Sequence, residues 1–318
     1  MGSPATSAPV AAGGVRLLDI VFAVGRVSLL LLALWLLAFI RSGVPIYVYL
    51  AAVTVSLAGV WATVREAADL KVWALYIMAF VLFAQLRTIA DETGIATQFD
   101  YPIDADRLLF FGSVPTVWLQ EHFYAFAQIG VLEVVTIMVY LTYFVFPHLV
   151  VFAVWRLDRK HFPVYAVGIV GTVYLGLVLS LMVPTAPPWL AGQTGDLPHV
   201  FRILEDISQE VTPGTYALVY DVAGPNDVAA MPSLHTAIPA VVAMIAWSRA
   251  RRPLAVAAWL YVIAMGSSLV YLGEHYVVDV LAGVGAAAVV VALVSAWQRR
   301  RERQADPSPP TSVSRFRS

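Results

Sequence analysis

Eight apolar runs constrain this chain more than any other feature. They cover 20–40, 44–64, 72–90, 128–155, 164–182, 232–247, 254–271 and 276–297, and several exceed the roughly 18 residues that cross a bilayer. Inside lipid a segment must satisfy its own backbone, so each run is expected to be a helix. Composition agrees: 60% of residues are hydrophobic and 13% are charged, with a mean hydropathy of +0.77, far more apolar than a globular domain needs. The expected fold is therefore all-α, a polytopic membrane bundle of about eight transmembrane helices. The formal net charge of −1 says little, because the distribution of charge matters more than its sum. Cysteine is absent, which removes disulfides, thiolate nucleophiles and cysteine metal sites.

Lysine and arginine orient the bundle. Arg16, Arg65, Lys71, Arg156, Arg159, Lys160, Arg249, Arg251, Arg252 and the run 299–303 fall on one side, whereas Arg41, Arg87, Arg107 and Arg202 fall on the other. By the positive-inside rule both termini are cytosolic. The first run is too long, and too poorly matched to a small-residue cleavage site, for a removed signal peptide. Residues 1–14 (Ala, Ser, Pro, Gly) and 304–318 (Pro, Ser, Arg) read as disordered cytosolic tails around a membrane domain over 15–303.

Two outer segments carry pattern of their own. Residues 91–127 place Leu108, Leu109, Phe110 and Phe111, then Trp118, Leu119 and Phe123, in an amphipathic stretch suited to the membrane interface; a cap over the bundle and a route for lipid fit it equally. Residues 184–230 form a connection far longer than usual, with turn signals at Thr212-Pro213-Gly214 and Gly224-Pro225-Asn226, and such loops tend to be functional.

The chemistry-bearing residues are Met231-Pro232-Ser233-Leu234-His235 and Glu274-His275-Tyr276-Val277-Val278-Asp279. Both sit where a loop runs into an apolar stretch, so both imidazoles are expected at one membrane face. Four residues apart on a helix, His275 and Asp279 share a side, which lets the carboxylate hold one ring nitrogen and free the other to attack. His235 follows a helix start marked by Pro232 and Ser233, where unpaired backbone N–H groups suit a phosphate. An isolated H-x-x-x-D reads more simply as an interfacial histidine with a helix-anchoring aspartate. A second histidine at the same depth turns the pair into a nucleophile and an acid.

These segments resemble the second and third motifs of the type 2 phosphatidic acid phosphatase superfamily, P-S-G-H and S-R-x5-H-x3-D. Leu234 stands where glycine is usual; Ser268, His275 and Asp279 match the third motif, and Leu269 takes the arginine position. No K-x6-R-P first motif is present and no lysine lies in the outer loops; Pro184-Thr185-Ala186-Pro187-Pro188-Trp189 stands there instead. That segment resembles the aureobasidin-resistance branch, the inositol phosphorylceramide synthases. The likeness spans roughly 104–283.

The resemblance implies a six-helix catalytic core with its motifs within 184–283, and a phosphotransferase acting on membrane lipids through a phosphohistidine intermediate. His275 is then the nucleophile, Asp279 its orienting partner and His235 the acid and base. Ser233, Ser268, Thr185 and Trp189, with the guanidiniums of Arg202 or Arg107, are the expected phosphate and substrate contacts; the other outer guanidiniums are Arg87 near a helix end and Arg41 at the far edge. Transfer to an alcohol is the expected reaction, with hydrolysis of a lipid phosphate or polyprenyl pyrophosphate as the alternative. No cofactor, metal or nucleic acid is implied, and the oligomeric state is left open. The outer carboxylates Asp196, Glu205, Asp206, Glu210, Asp221 and Asp227 lack metal-ligand spacing.

Other features read as structure. Trp118, Trp189, Trp247 and Trp297 suit interfacial anchoring, Arg26 and Glu133 suit a buried pair, and His122, His148, His161 and His199 have no partner motif. A transporter would need inverted repeats or matched broken helices, which the sequence does not offer, and a catalytically inert lipid-binding scaffold would not need both histidines and the aspartate.

Overall fold

The structure, a computed structural model, describes residues 67–87, 94–126, 128–211 and 226–305. The first two expected spans, Arg16, Arg26, Arg41, Arg65 and most of both tails lie outside the described residues. Among those described the fold is all-helical, with eleven α-helices: α1 (Ala67–Arg87), α2 (Asp100–Leu109), α3 (Pro115–Phe123), α4 (Val131–Thr142), α5 (Phe146–Leu157), α6 (Phe162–Met182), α7 (Pro188–Thr194), α8 (Ile203–Val211), α9 (Leu234–Ser248), α10 (Arg252–Tyr271) and α11 (Val277–Ala305). Extended pairing is limited to isolated bridges that join Gln98, Thr185 and Ala229. Three helical stretches are long and apolar enough to cross a membrane, and α4 with α5 makes a fourth if the bent pair is one span. Such helices are compatible with a multi-pass membrane protein.

The core forms around α9, which packs against α10, α11 and α6 and carries Ala237, Ile238, Ala240, Val241, Val242, Ala243 and Ala246 fully or almost fully buried. Small and β-branched residues let the three neighbours close on it from every side. With 15 residues, α9 is only about 22 Å long, short of the roughly 30 Å of hydrocarbon. Its first turn carries His235. Gly283 on α11 makes the close approach feasible: a Cβ there would lie 2.4 Å from Ser233 O and 2.7 Å from Thr236 Oγ1.

One expected span is broken. In place of a continuous helix over 128–155, α4 and α5 meet at 54° across residues 143–145. Pro147, in the first turn of α5, has no N–H to donate back to Tyr143, and its ring crowds that carbonyl. The last span differs the other way. It was expected to stop at 297, yet α11 continues to Ala305, because 298–305 is rich in good helix formers and holds no glycine or proline before Pro307. The arginine run is thus a helix surface.

Residues 94–126 fold as two short helices that leave Leu108, Leu109, Phe110, Phe111, Trp118 and Phe123 exposed, the apolar face expected of an interfacial segment. The connection 184–230 is partly ordered, containing α7 and α8. At the bundle end opposite His235, Asp69 meets Arg159 at 2.5 Å and Asp158 meets Arg251 at 2.7 Å. Glu133 is buried, but its partners among the described residues are the Tyr271 hydroxyl and Gly130 N. Trp189 is not an interfacial anchor: it is 6% exposed, whereas Trp118, Trp247 and Trp297 are open.

Candidate active site

Three chain segments converge at the N-terminal end of α9. Ser233 is its N-cap with extended backbone, and the Ser233 side chain makes no cap hydrogen bond, so the first-turn N–H groups keep their capacity for an anion. His235 follows on that turn. Its ring lies 5.5 Å, centroid to centroid, from His275, which enters from the tight turn between α10 and α11. The turn depends on Gly273, at φ 83, where a Cβ would also lie 2.6 Å from Phe201 O. Glu274 N and His275 N then donate to Leu269 O at 3.0 and 3.3 Å. Leu269 itself is fully buried and presents no polar group.

Asp279 ties the two motifs together. Its Oδ2 lies 3.4 Å from His275 Nδ1 and accepts the Tyr276 N–H at 2.9 Å, the reach-back of a third-position helix acid. Its carbonyl accepts the Ser233 N–H at 3.0 Å. The imidazole contact is longer than a formed hydrogen bond, and such contacts tighten when substrate arrives. With Nδ1 turned to the carboxylate, Nε2 is the nitrogen free to attack. Ser233 Oγ, His275 Nδ1, Asp279 Oδ1 and Tyr276 OH are all buried without a hydrogen-bond partner. Each such group costs free energy when buried unpaired, and all four belong to the two histidine motifs.

Two features of this site escaped the sequence reading. The broken span puts aromatic rings on His235: Tyr143 lies 4.1 Å away and Tyr140 stacks at 5.2 Å. Asp106, with no exposed surface, accepts the Val277 and Val278 N–H groups at 3.0 and 2.9 Å, capping α11 from 171 residues away. Its only sequence signal is one acid among several in an outer segment.

Burial pushes the Asp106 carboxyl up to about 6, from the usual 3.8, against the pull of its two backbone hydrogen bonds and with a further push from Asp279. A folded value above the unfolded one means that protonation favours the folded state. The contribution is complete below about 3.8 and is lost as pH rises through about 6. The thermal midpoint of the wild type should therefore gain on that of Asp106→Asn as pH falls from 7 towards 4. Parallel midpoint-versus-pH curves would show that Asp106 has no such shift.

The other expected site residues are placed as follows. Arg202 reaches the catalytic turn, but Nε and Nη2 contact Glu274 at 2.9 and 3.3 Å and its guanidinium lies 4.2 Å over the Trp189 ring. Gln120 holds that loop, donating to Phe201 O and Tyr271 O and accepting from Phe201 N. Thr185 is fully buried and meets the Tyr101 hydroxyl at 2.5 Å. Ser268 is buried in the last turn of α10. Arg107 is 46% exposed and paired with Asp104 at 3.6 Å; no contact joins it to the histidine pair. Leu234 is accommodated because its Cδ2 packs where Gly176 of α6 has no side chain. His122, His148, His161 and His199 contact Trp118, Tyr76, Asp158 and Phe201 respectively.

A family model described as the PAP2 superfamily matches residues 103–293. No curated protein and no solved structure matches the chain.

Proposed function

Because the chain belongs to the PAP2 superfamily, we propose that it is a membrane-embedded lipid phosphotransferase that moves a phospho-head-group, such as phosphoinositol, from one lipid alcohol to another. The observation that carries this reading is the facing His235 and His275 rings with Asp279 behind the second. His275 Nε2 attacks the donor phosphorus; the P–N bond forms as the P–O bond to the leaving alcohol breaks, and His235 gives that oxygen its proton. The acceptor hydroxyl then loses its proton to His235 and attacks phosphorus, and the P–N bond breaks. Ser233 and the first-turn N–H groups of α9 face the charge that develops on phosphate oxygen.

Transfer instead of hydrolysis is supported by the burial of the groups around the histidine pair. Ser233 and Asp279 have no exposed surface, and Tyr140 and Tyr143 cover His235. Beside the helix break, Met138, Leu141, Phe144 and Val145 are exposed, an apolar approach suited to acyl chains. The proline-rich segment at Pro184 and the apolar Leu269 support the inositol phosphorylceramide synthase-like branch. The lysine and arginine distribution supports cytosolic termini and a site on the outer face, and we place the protein in the plasma membrane.

Membranes containing the protein, given a phospholipid labelled in its phospho-head-group, test this directly. The expected result is a new labelled lipid that forms only when a lipid alcohol acceptor is added. Labelled water-soluble product formed at the same rate without acceptor would make the protein a hydrolase, and no product of either kind would overturn both readings.

A further inference from the structure

A phosphoryl group held between two imidazoles needs a cation, and two of the expected arginines are engaged elsewhere: Arg202 is forked onto Glu274 and Arg107 paired with Asp104. We propose that Arg87, the last residue of α1, is the guanidinium that grips the non-bridging phosphate oxygens at the His235–His275 pair, an assignment that rests on the phosphoryl-transfer reading above. It lies outside the segment matched by the family model, which begins at 103.

Helix register brings it there. Helices α1 and α5 run antiparallel, as Trp155 Nε1 donates to Asp69 at 2.9 Å and the Tyr76 hydroxyl meets His148 Nδ1 at 2.9 Å. Seven residues forward on α1 thus match seven residues back on its partner. Along α6, against which α1 packs, the Tyr174 hydroxyl donates to Ala79 O at 2.9 Å and the Tyr174 ring lies 6.5 Å from Phe83; two residues further on, Gly176 receives the Leu234 side chain, so the end of α1 is level with the first turn of α9, which carries His235. Electrostatics agrees, because His235, Tyr140 and Tyr143 all feel the Arg87 charge.

Among the described residues Arg87 makes no hydrogen bond or ion pair. A guanidinium ending an apolar helix is costly to desolvate unless something there needs it, and the unpartnered Ser233 Oγ and His275 Nδ1 show that the neighbouring site is built for a polar guest. Arg202 then serves as a positioning residue that fixes Glu274 and hence the turn carrying His275.

Orthovanadate, a five-coordinate mimic of phosphoryl transfer, tests the assignment without turnover. Purified full-length protein in detergent should be stabilised by vanadate in a thermal-shift titration. Arg87→Gln should weaken the apparent affinity about tenfold or more while leaving the ligand-free midpoint unchanged. Arg87→Lys should fall between them, because a lysine supplies charge without the two-pronged contact. Lys71→Gln, exposed at the far end of the same helix, should bind as the wild type does. Equal vanadate affinity in wild type and both Arg87 variants overturns the Arg87 assignment and leaves the phosphoryl-transfer reading standing. A wild type that does not bind vanadate overturns that reading, and the assignment with it. If Arg87→Gln unfolds, the Arg87→Lys titration decides alone.

Discussion

His275→Ala is expected to abolish turnover, by about 10⁴-fold or more, because no other group within reach can take the phosphoryl. The ring is almost fully buried, and its Nδ1 faces Asp279 at 3.4 Å, so removing it deletes the attacking nitrogen without disturbing a hydrogen bond that the fold uses. Asp279→Asn should cost on the order of 2–4 kcal/mol of barrier, since orientation and imidazolium stabilisation are lost while the nucleophile stays. An amide oxygen can still accept the Tyr276 N–H, so Asp279→Asn should fold. The decisive measurement is a single turnover with phospho-labelled donor. Wild type should accumulate acid-labile label on protein, Asp279→Asn should do so slowly, and His275→Ala not at all. Label on the His275→Ala protein, or ordinary turnover by it, would end the phosphohistidine mechanism.

Gly283→Ala is expected to damage both stability and activity, though it adds only one methyl group. That methyl would stand 2.4 Å from a main-chain oxygen, Ser233 O, and 2.7 Å from Thr236 Oγ1. No rotamer change relieves a clash with backbone, so α11 and α9 must part. The contact broken first is Ser233 N to Asp279 O, the link between the two histidine motifs. Overpacking of this kind costs about 1–3 kcal/mol, and a displacement near 1 Å at reacting groups costs about 10²-fold in rate. Gly285→Ala on the same helix is the control. A Cβ there meets nothing within 4 Å, and the substitution should stabilise by about 0.5–1 kcal/mol, as alanine does in a helix interior. Similar melting points and rates for the two variants would show that close helix approach at Gly283 does not set the site.

Bringing the histidine pair together was largely legible from sequence. The apolar runs specify helices because lipid leaves the backbone no other partner, and the H-x-x-x-D spacing puts His275 beside Asp279 because the α-helix repeats every 3.6 residues. Both are short-range rules, and they held wherever local chemistry decided. The misreadings have a different origin. One proline divided the span over 128–155, and apolarity alone did not show how strongly Pro147 would act; the consequence, Tyr143 on His235, depends on a helix that arrives about ninety residues later in the chain.

Longer separations were beyond any local rule. Asp106 caps Val277 and Val278 across 171 and 172 residues, Arg202 is claimed by Glu274 across 72, and Tyr174 joins α6 to Ala79 of α1 across 95. The order of residues along this chain determined that it is helical, apolar and armed with two imidazoles and a carboxylate. Which acids pair with the arginines and which carboxylate caps α11 were decided by packing, because burial and pairing follow distances between helices that the order of residues along the chain does not contain.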